Sequence, residues 1–161
     1  MSISKEEFRS ALSRFASGVT VVTTKDNNGK FYGITVSAFC SVSLTPPLVL
    51  ICIEKDTGSH HAFEQSRVFV INILRENQQH ISNHFASHLE DKFTGILYRK
   101  GIEELPVLED ALVNLECRLR YSHSGGDHTI FVGEVEKATI KDDNPLLYFH
   151  GDYRKIVESV L

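Results

Sequence analysis

A succession of short apolar runs, each of strand length and each closed by a turn token, constrains this chain more than any other feature. Residues 19–24 are Val and Thr throughout, the β-branched types that suit a pleated, half-buried surface. Asp26-Asn27-Asn28-Gly29 follows, and Asn-Gly is a strong hairpin token. Residues 31–44 read as the returning strand, bent or broken, so a hairpin is predicted from Val19 to about Ser43. Pro46 and Pro47 end it, because proline cannot donate to a ladder. Residues 48–53 form a near-continuous apolar run. In 68–74, Phe69, Ile71 and Ile73 alternate with Val70, Asn72 and Leu74, which predicts a strand covered on both faces. Val113, Leu115, Cys117, Leu119 and Tyr121 alternate with Asn114, Glu116, Arg118 and Arg120, the pattern of a strand with one face in water. Ser124-Gly125-Gly126 turns it into a partner strand over 129–140. Residues 145–148 read as one more short strand, and 153–160 as a tail strand or helix.

The helical signals are few and short. Ser4 and Glu7 stand three apart, as a capping box requires. Phe8, Ala11, Leu12 and Phe15 share one helical face, with Gly18 as the predicted stop. Residues 57–66 read as a short helix or helical turn. Residues 77–89 read as a helix with Ile81, Phe85 and Leu89 facing inward. Pro106 and Leu108 fall in a connection. Strands do not alternate with regular helices, which argues against a doubly wound parallel sheet. The expected fold is mainly β: a closed or nearly closed barrel, which hides strand edges, with a few peripheral helices. The 161 residues suffice for a single domain over 1–161, and no repeat or linker divides them.

Composition narrows the function classes. The net charge is −4, without the basic excess of a nucleic-acid-binding domain. Residues 81–161 carry 14 acidic against 9 basic side chains, so no large cationic field arises. The apolar runs fall short of the roughly 20 residues a membrane helix needs. Lys5, Glu6 and Glu7 follow the start with no apolar core behind them, so no signal peptide is read. Cys40, Cys52 and Cys117 lack zinc-knuckle spacing and sit in apolar or alternating runs. They read as reduced, buried thiols of a cytoplasmic protein.

Four constellations carry candidate chemistry. Thr35, Ser37, Ser41 and Ser43 recur at even spacing and line one face of a strand, with Gly33 and Ala38 giving a flat ligand room to approach the backbone. Such a face can donate hydrogen bonds to a heterocycle or a phosphate, and it also suits a merely solvated strand. Lys55, Thr57 and Ser59 sit where a strand opens into a helical turn. That place attracts anions and serves equally as an ordinary turn. His80, His84 and His88 share a helix face but lack a carboxylate at a matching ligand position, so they read as helix-surface histidines rather than a metal site. His128 follows Asp127 at a strand start, where its ring can meet a substrate amide or phosphate, or simply solvent. By themselves these features describe a small β-barrel for an anionic or aromatic ligand and name no reaction.

Taken in order, RFASGVTVVTT from Arg14, GITVSAFCSVSLTPPLVLICI from Gly33, FVINIL from Phe69, GDHTIFVGEV from Gly126 and PLLYFHGDYR from Pro145 resemble the flavin reductase family with an FMN-binding split barrel. The resemblance spans about 8–156 and is nearest to the small reductase components of two-component flavin monooxygenases, such as those serving 4-hydroxyphenylacetate or phenol hydroxylases. It implies a Greek-key split β-barrel that forms a homodimer, with FMN, or alternatively FAD, in a groove near the dimer interface. It implies that Thr35, Val36, Ser37 and Ala38 lie along the isoalloxazine ring, and that Ser41 and Ser43 serve the ribityl chain and phosphate. Lys55, Thr57, Ser59 and His60 match the phosphate loop, and Phe85 an aromatic of the substrate-side segment. His128 matches the residue that contacts the nicotinamide nucleotide, and Tyr153 and Arg154 the motif that closes the site. The implied reaction is hydride transfer from C4 of NADH or NADPH to N5 of the flavin, with reduced flavin passing to a separate oxygenase. His128, the one catalytic candidate, would position rather than exchange protons. The alternative is a barrel that binds FMN or relays electrons without turning over nicotinamide. No nucleic-acid, membrane or metal partner is implied.

Overall fold

The computed structural model describes residues 3–157. A helix, α1 (Lys5–Leu12), opens the chain, and Ser4 and Glu7 form the predicted capping box at its start. The strands β1 (Ser17–Gly18), β2 (Thr20–Lys25), β3 (Phe31–Val36), β4 (Phe39–Leu44) and β5 (Pro47–Glu54) follow. Then come α2 (His60–Gln65), β6 (Val68–Ile73) and α3 (Gln79–Ala86). Two short strands, β7 (Tyr98–Lys100) and β8 (Pro106–Leu108), flank a 3-10 turn. The long hairpin β9 (Val113–Gly125) and β10 (His128–Ile140) precedes β11 (Leu147–Phe149) and β12 (Asp152–Arg154). The tail expected over 153–160 is β12 at its start; residues 158–160 lie outside the described residues.

Seven strands form one antiparallel sheet in the order β3-β2-β6-β9-β10-β5-β4. Strands β6, β9 and β10 are consecutive neighbours, and β5 returns beside β10, which is Greek-key connectivity. The two edges, β3 and β4, are consecutive in the chain. Ser37 and Ala38 join them, and the Cys52 amide donates to the Ala38 carbonyl at 3.1 Å. The sheet therefore curls into a barrel that is fully paired on one side and split on the other.

Alternation along the strands sends side chains to two cores. Val22, Ile51, Phe69, Ile71 and Phe131 fill the barrel. Val21, Leu74, Phe85 and Leu146 pack on its outside beneath α3. A third cluster, Val68, Val70, Leu105 and Val107, sits under β8.

Several expectations change. The strand predicted as bent or broken over 31–44 is broken into β3 and β4, and β4 pairs with β5 rather than β2, because the chain must cross the split. Helix α1 stops at Leu12, with Ser13 as its cap, so Phe15 lies beyond it and Gly18 belongs to β1. Pro106 and Leu108 lie in a strand, too short for any periodicity to reveal. The polar face of β9 is solvated only in its second half: Arg118 is half-exposed and Arg120 exposed, whereas Asn114 and Glu116 are 5% and 4% exposed, because the β7–β8 layer covers them. Leu89 is exposed past the end of α3. Only Cys117 is a buried thiol; Cys52 is half-buried and Cys40 exposed.

Candidate functional site

The split is where the fold leaves backbone and side-chain donors unspent. Strand β3 pairs only with β2, so its other edge faces an open cleft of about 440 Å³. The cleft is bounded by β3, by the turn from β5 into α2, and by the segment that follows α3. Gly33 lets this wall close up: a Cβ there would stand 2.5 Å from the Phe85 ring. Its small size serves packing against Phe85, while its backbone lines the cleft. Phe85 is fully buried, the inner support of the wall, and its ring meets Phe93 edge-on at 5.4 Å. Phe93 in turn packs on Phe31 and Tyr98.

The predicted residues divide into groups. Thr57, Ser59 and Phe85 line the cleft. Thr35, Val36, Ser37 and Ala38 continue from it along β3 into the crossing, and Ser37 and Ala38 are exposed. The Thr35 hydroxyl is spent on the Ser82 carbonyl at 2.6 Å, which holds α3 against β3. The Val36 carbonyl accepts from the Thr20 hydroxyl. Ser41 and Ser43 stand on edge strand β4 about a register shift; the Ser43 hydroxyl accepts from the Thr45 amide at 3.2 Å.

Other candidates are committed to the scaffold. Lys55 Nζ donates to Ser124 Oγ (2.8 Å) and the Gly126 carbonyl (2.6 Å), tying the end of β5 to the β9–β10 turn. The Thr57 hydroxyl donates back to the Glu54 carbonyl. His60 is buried with its Nε2 2.9 Å from the Thr129 hydroxyl, so its ring points into the barrel rather than the loop. His128 begins β10 opposite Glu54, part-exposed, with Nδ1 2.7 Å from the Asp127 carboxylate. That contact holds the Asp127 carboxyl below its ordinary range and leaves Nε2 outward. Tyr153 reaches from β12 to Ser82 Oγ (2.8 Å) and Asn83 Oδ1 (2.9 Å). Thr35, α3 and the C-terminal strand are thus one hydrogen-bonded unit. Arg154 is exposed and pairs with Asp152, whose carboxyl it holds low.

Of the histidine stripe, His84 Nε2 is 2.8 Å from the Lys92 carbonyl, and His88 lies beyond α3 on the cleft. Sequence reading missed Lys92, which lines the cleft with its ammonium on the Phe85 and Gly33 carbonyls. A lysine between two irregular residues gives no periodic signal. The set as a whole fits a planar, phosphate-bearing heterocycle: a free strand edge, exposed small residues beside it, and a cation with hydroxyls in the adjoining cleft.

Comparison with known proteins bears on this geometry. The family described as flavin reductase like domain matches residues 12–157. A 4-nitrophenol 4-monooxygenase/4-nitrocatechol 2-monooxygenase reductase component of Rhodococcus opacus is 41% identical, over 96% of this chain and 83% of that protein. An NADH-dependent flavin reductase of a Rhodococcus species is also 41% identical, over 92% and 84%. The solved NADH:FAD oxidoreductase of Streptomyces globisporus C-1027, in complex with NAD and FAD fragments, superposes with a TM-score of 0.91 at 35% identity. That match covers 97% of this chain and 94% of the other.

Proposed function

The chain belongs to the flavin reductase-like family, and from that premise we propose an NAD(P)H:flavin oxidoreductase that supplies reduced flavin to a separate monooxygenase. The observation that carries this reading is the split of the barrel: one free strand edge, continuous with a cleft holding Lys92 and Ser59. FMN or FAD, when bound, supplies the acceptor for a hydride from the nicotinamide ring.

The residues of this chain provide position. The exposed stretch at Ser37 and Ala38 offers its backbone amides to the ring edge, its carbonyls being taken by the Phe39 and Cys52 amides. Thr35, Ser82 and Tyr153 keep α3 seated behind that stretch, so the distance between bound rings is set by the scaffold. His128, oriented by Asp127, presents Nε2 to an amide or phosphate of the nicotinamide nucleotide. Holding donor and acceptor rings in register needs no protein acid or base.

A homodimer is supported by α1. Phe8 and Leu12, with Phe15 just beyond, are 52%, 56% and 79% exposed, an apolar face that one chain leaves uncovered. Reductase components among the relatives support a separate oxygenase as the acceptor. No helix among the described residues is long and apolar enough to cross a membrane, and a cytoplasmic setting suits three free thiols. We treat the chain as one domain of this kind.

The test is NADH and NADPH consumption in air by protein stripped of flavin, with FMN or FAD titrated in. Turnover that saturates in flavin is expected. Binding of FMN with both nicotinamide nucleotides left untouched would replace this reading with a flavin-binding or electron-relay protein.

A further inference from the structure

A second cavity, of about 250 Å³, lies at the N-terminal end of α3 and shares no lining residue with the cleft. Ile81 of α3, Ile96 and Leu97 of the loop that follows, and Leu108 at the end of β8 give it apolar walls. Gln78 lines it too, although that residue is only 5% exposed. The Arg75 amide donates to Gln78 Oε1 at 3.0 Å. This contact fixes the side-chain amide, because a backbone N–H can meet only the oxygen. Nε2 is therefore turned away from Arg75, and it has no acceptor among the described residues. It is not sealed either. Arg75 Nε alone, among the buried side-chain nitrogens and oxygens of those residues, is closed off from water with no partner. Gln78 Nε2 thus opens on the cavity that its residue lines. A donor left unspent on a buried side chain gains from an acceptor brought to it.

Size and charge narrow the ligand. An apolar cavity of roughly 150 Å³ holds benzene, and pockets for drug-sized molecules begin at about 300 Å³. This cavity has room for one ring with a short substituent, and for neither a flavin nor a dinucleotide. The Arg75 guanidinium is already paired, with Asp143 at 3.5 Å and Asp110 at 3.8 Å. Glu109 stands exposed on the rim, outside every ion pair among the described residues. The lining has no spare positive charge, and an anion would meet a free carboxylate. An uncharged ligand suits it.

We propose that this cavity is a second binding site, for an uncharged compound about one ring in size. Its carbonyl oxygen accepts from Gln78 Nε2 while the ring packs on Ile81, Ile96, Leu97 and Leu108. The site is separate from the flavin cleft, and the inference does not rest on the flavin reductase reading.

The experiment uses three probes that share a benzene ring: acetophenone, ethylbenzene and benzoate. They present a carbonyl, a methylene and a carboxylate to Gln78. Each is titrated into the full ¹⁵N-labelled chain with FMN present to occupy the cleft. Resonances of the Gln78 side-chain amide and the Ile81 and Ile96 backbone amides are followed. Acetophenone is expected to shift them with a Kd on the order of 1 mM. Ethylbenzene should bind roughly five- to tenfold more weakly, the weight of one hydrogen bond, and benzoate about tenfold more weakly or worse. Gln78→Glu keeps an oxygen for the Arg75 amide and removes the donor. It should bring acetophenone down to the ethylbenzene level and leave ethylbenzene unchanged within about twofold.

Equal affinities of the wild type for acetophenone and ethylbenzene overturn the role of Gln78. Benzoate binding more tightly than acetophenone overturns the uncharged class. Acetophenone that shifts none of these resonances, or binds only when FMN is left out, overturns the site. Should Gln78→Glu not fold, Leu97→Trp decides, because it fills the cavity from an exposed position. Loss of the acetophenone shifts in that variant supports the site, and shifts that persist unchanged overturn it.

Discussion

The paired side of the barrel and its split side treat polar groups in opposite ways. On the paired side they are buried and consumed. Asn72 is fully buried on β6. It donates to the Val21 carbonyl (2.9 Å) and accepts from the Leu108 amide (3.0 Å) and the Asn114 side chain (2.8 Å). Glu116, 4% exposed, takes both guanidinium nitrogens of Arg99 and the Ile102 amide. On the split side the free edge of β3, Ser37, Ala38, Ser59 and Lys92 face a cleft or solvent. The difference teaches that this fold locates a ligand by leaving one seam unpaired. Groups saturated by the protein have nothing to give a ligand; groups left at the seam do.

The comparison breaks most visibly at Asn72. Replacing it with Ala removes hydrogen bonds to three buried partners and costs about 3 kcal/mol, lowering Tm by roughly 6–12 °C for a domain of this size. Flavin affinity of the folded variant is expected to hold. Calorimetry paired with FMN titration checks both, and a variant that loses flavin at full Tm would contradict the division.

Gly33→Ala is the converse test. Its Cβ meets the Phe85 ring at 2.5 Å, an overpacking worth about 1–3 kcal/mol. Phe85 supports the cleft wall, so FMN affinity should fall roughly tenfold along with stability. Unchanged flavin binding would detach the wall from the site.

His128→Ala sharpens the split side further. The KM for the nicotinamide nucleotide is expected to rise about tenfold, with FMN affinity nearly constant. An effect on flavin binding alone would remove His128 from its assigned position.

The smallest effect separates two thiols. Burial pushes the Cys117 thiol on paired strand β9 up to about 12; Cys40 stands exposed on edge strand β4. A disulfide reagent at pH 8 should modify Cys40 quickly and Cys117 only on unfolding. A raised thiol pKa keeps the folded state protonated, so its stabilisation is complete below about pH 8.5 and drains away as pH climbs toward about 12. Between pH 8 and 9.5 about 1 kcal/mol should be lost. Most of the loss should disappear in Cys117→Ala, with a remainder from the half-buried Cys52 thiol, which burial also raises; an equal loss there would assign it to other groups.

How much of this could be read from the chain follows the same division. Strands β2, β5, β6, β9 and β10 were visible because alternation and β-branching act locally. The crossing at Ser37 and Ala38 was not, because barrel closure is a long-range event that no local pattern encodes. Burial of Asn114 and Glu116 depends on β7 and β8, three residues each, too short to signal themselves. The hydroxyl-rich stretch and His128 were legible as candidates. Which hydroxyls and amines were already spent was not: Lys55, Thr57 and His60 looked available in sequence, whereas their partners at Gly126, Glu54 and Thr129 come from contacts made only on folding. Lys92 escaped notice for the complementary reason.

The chain has no tryptophan and five tyrosines, and their placement gives the split an optical signature. Tyr32 lines the cleft, Tyr98 backs its aromatic wall through Phe93, and Tyr153 is tied to α3. Tyr148 packs on Tyr153 with ring centroids 5.4 Å apart, so ultraviolet emission from this protein comes from tyrosine, with four of the five emitters grouped on this side. A bound chromophore that absorbs in the near ultraviolet would dim them by energy transfer. The unlabelled protein then reports how full its own site is.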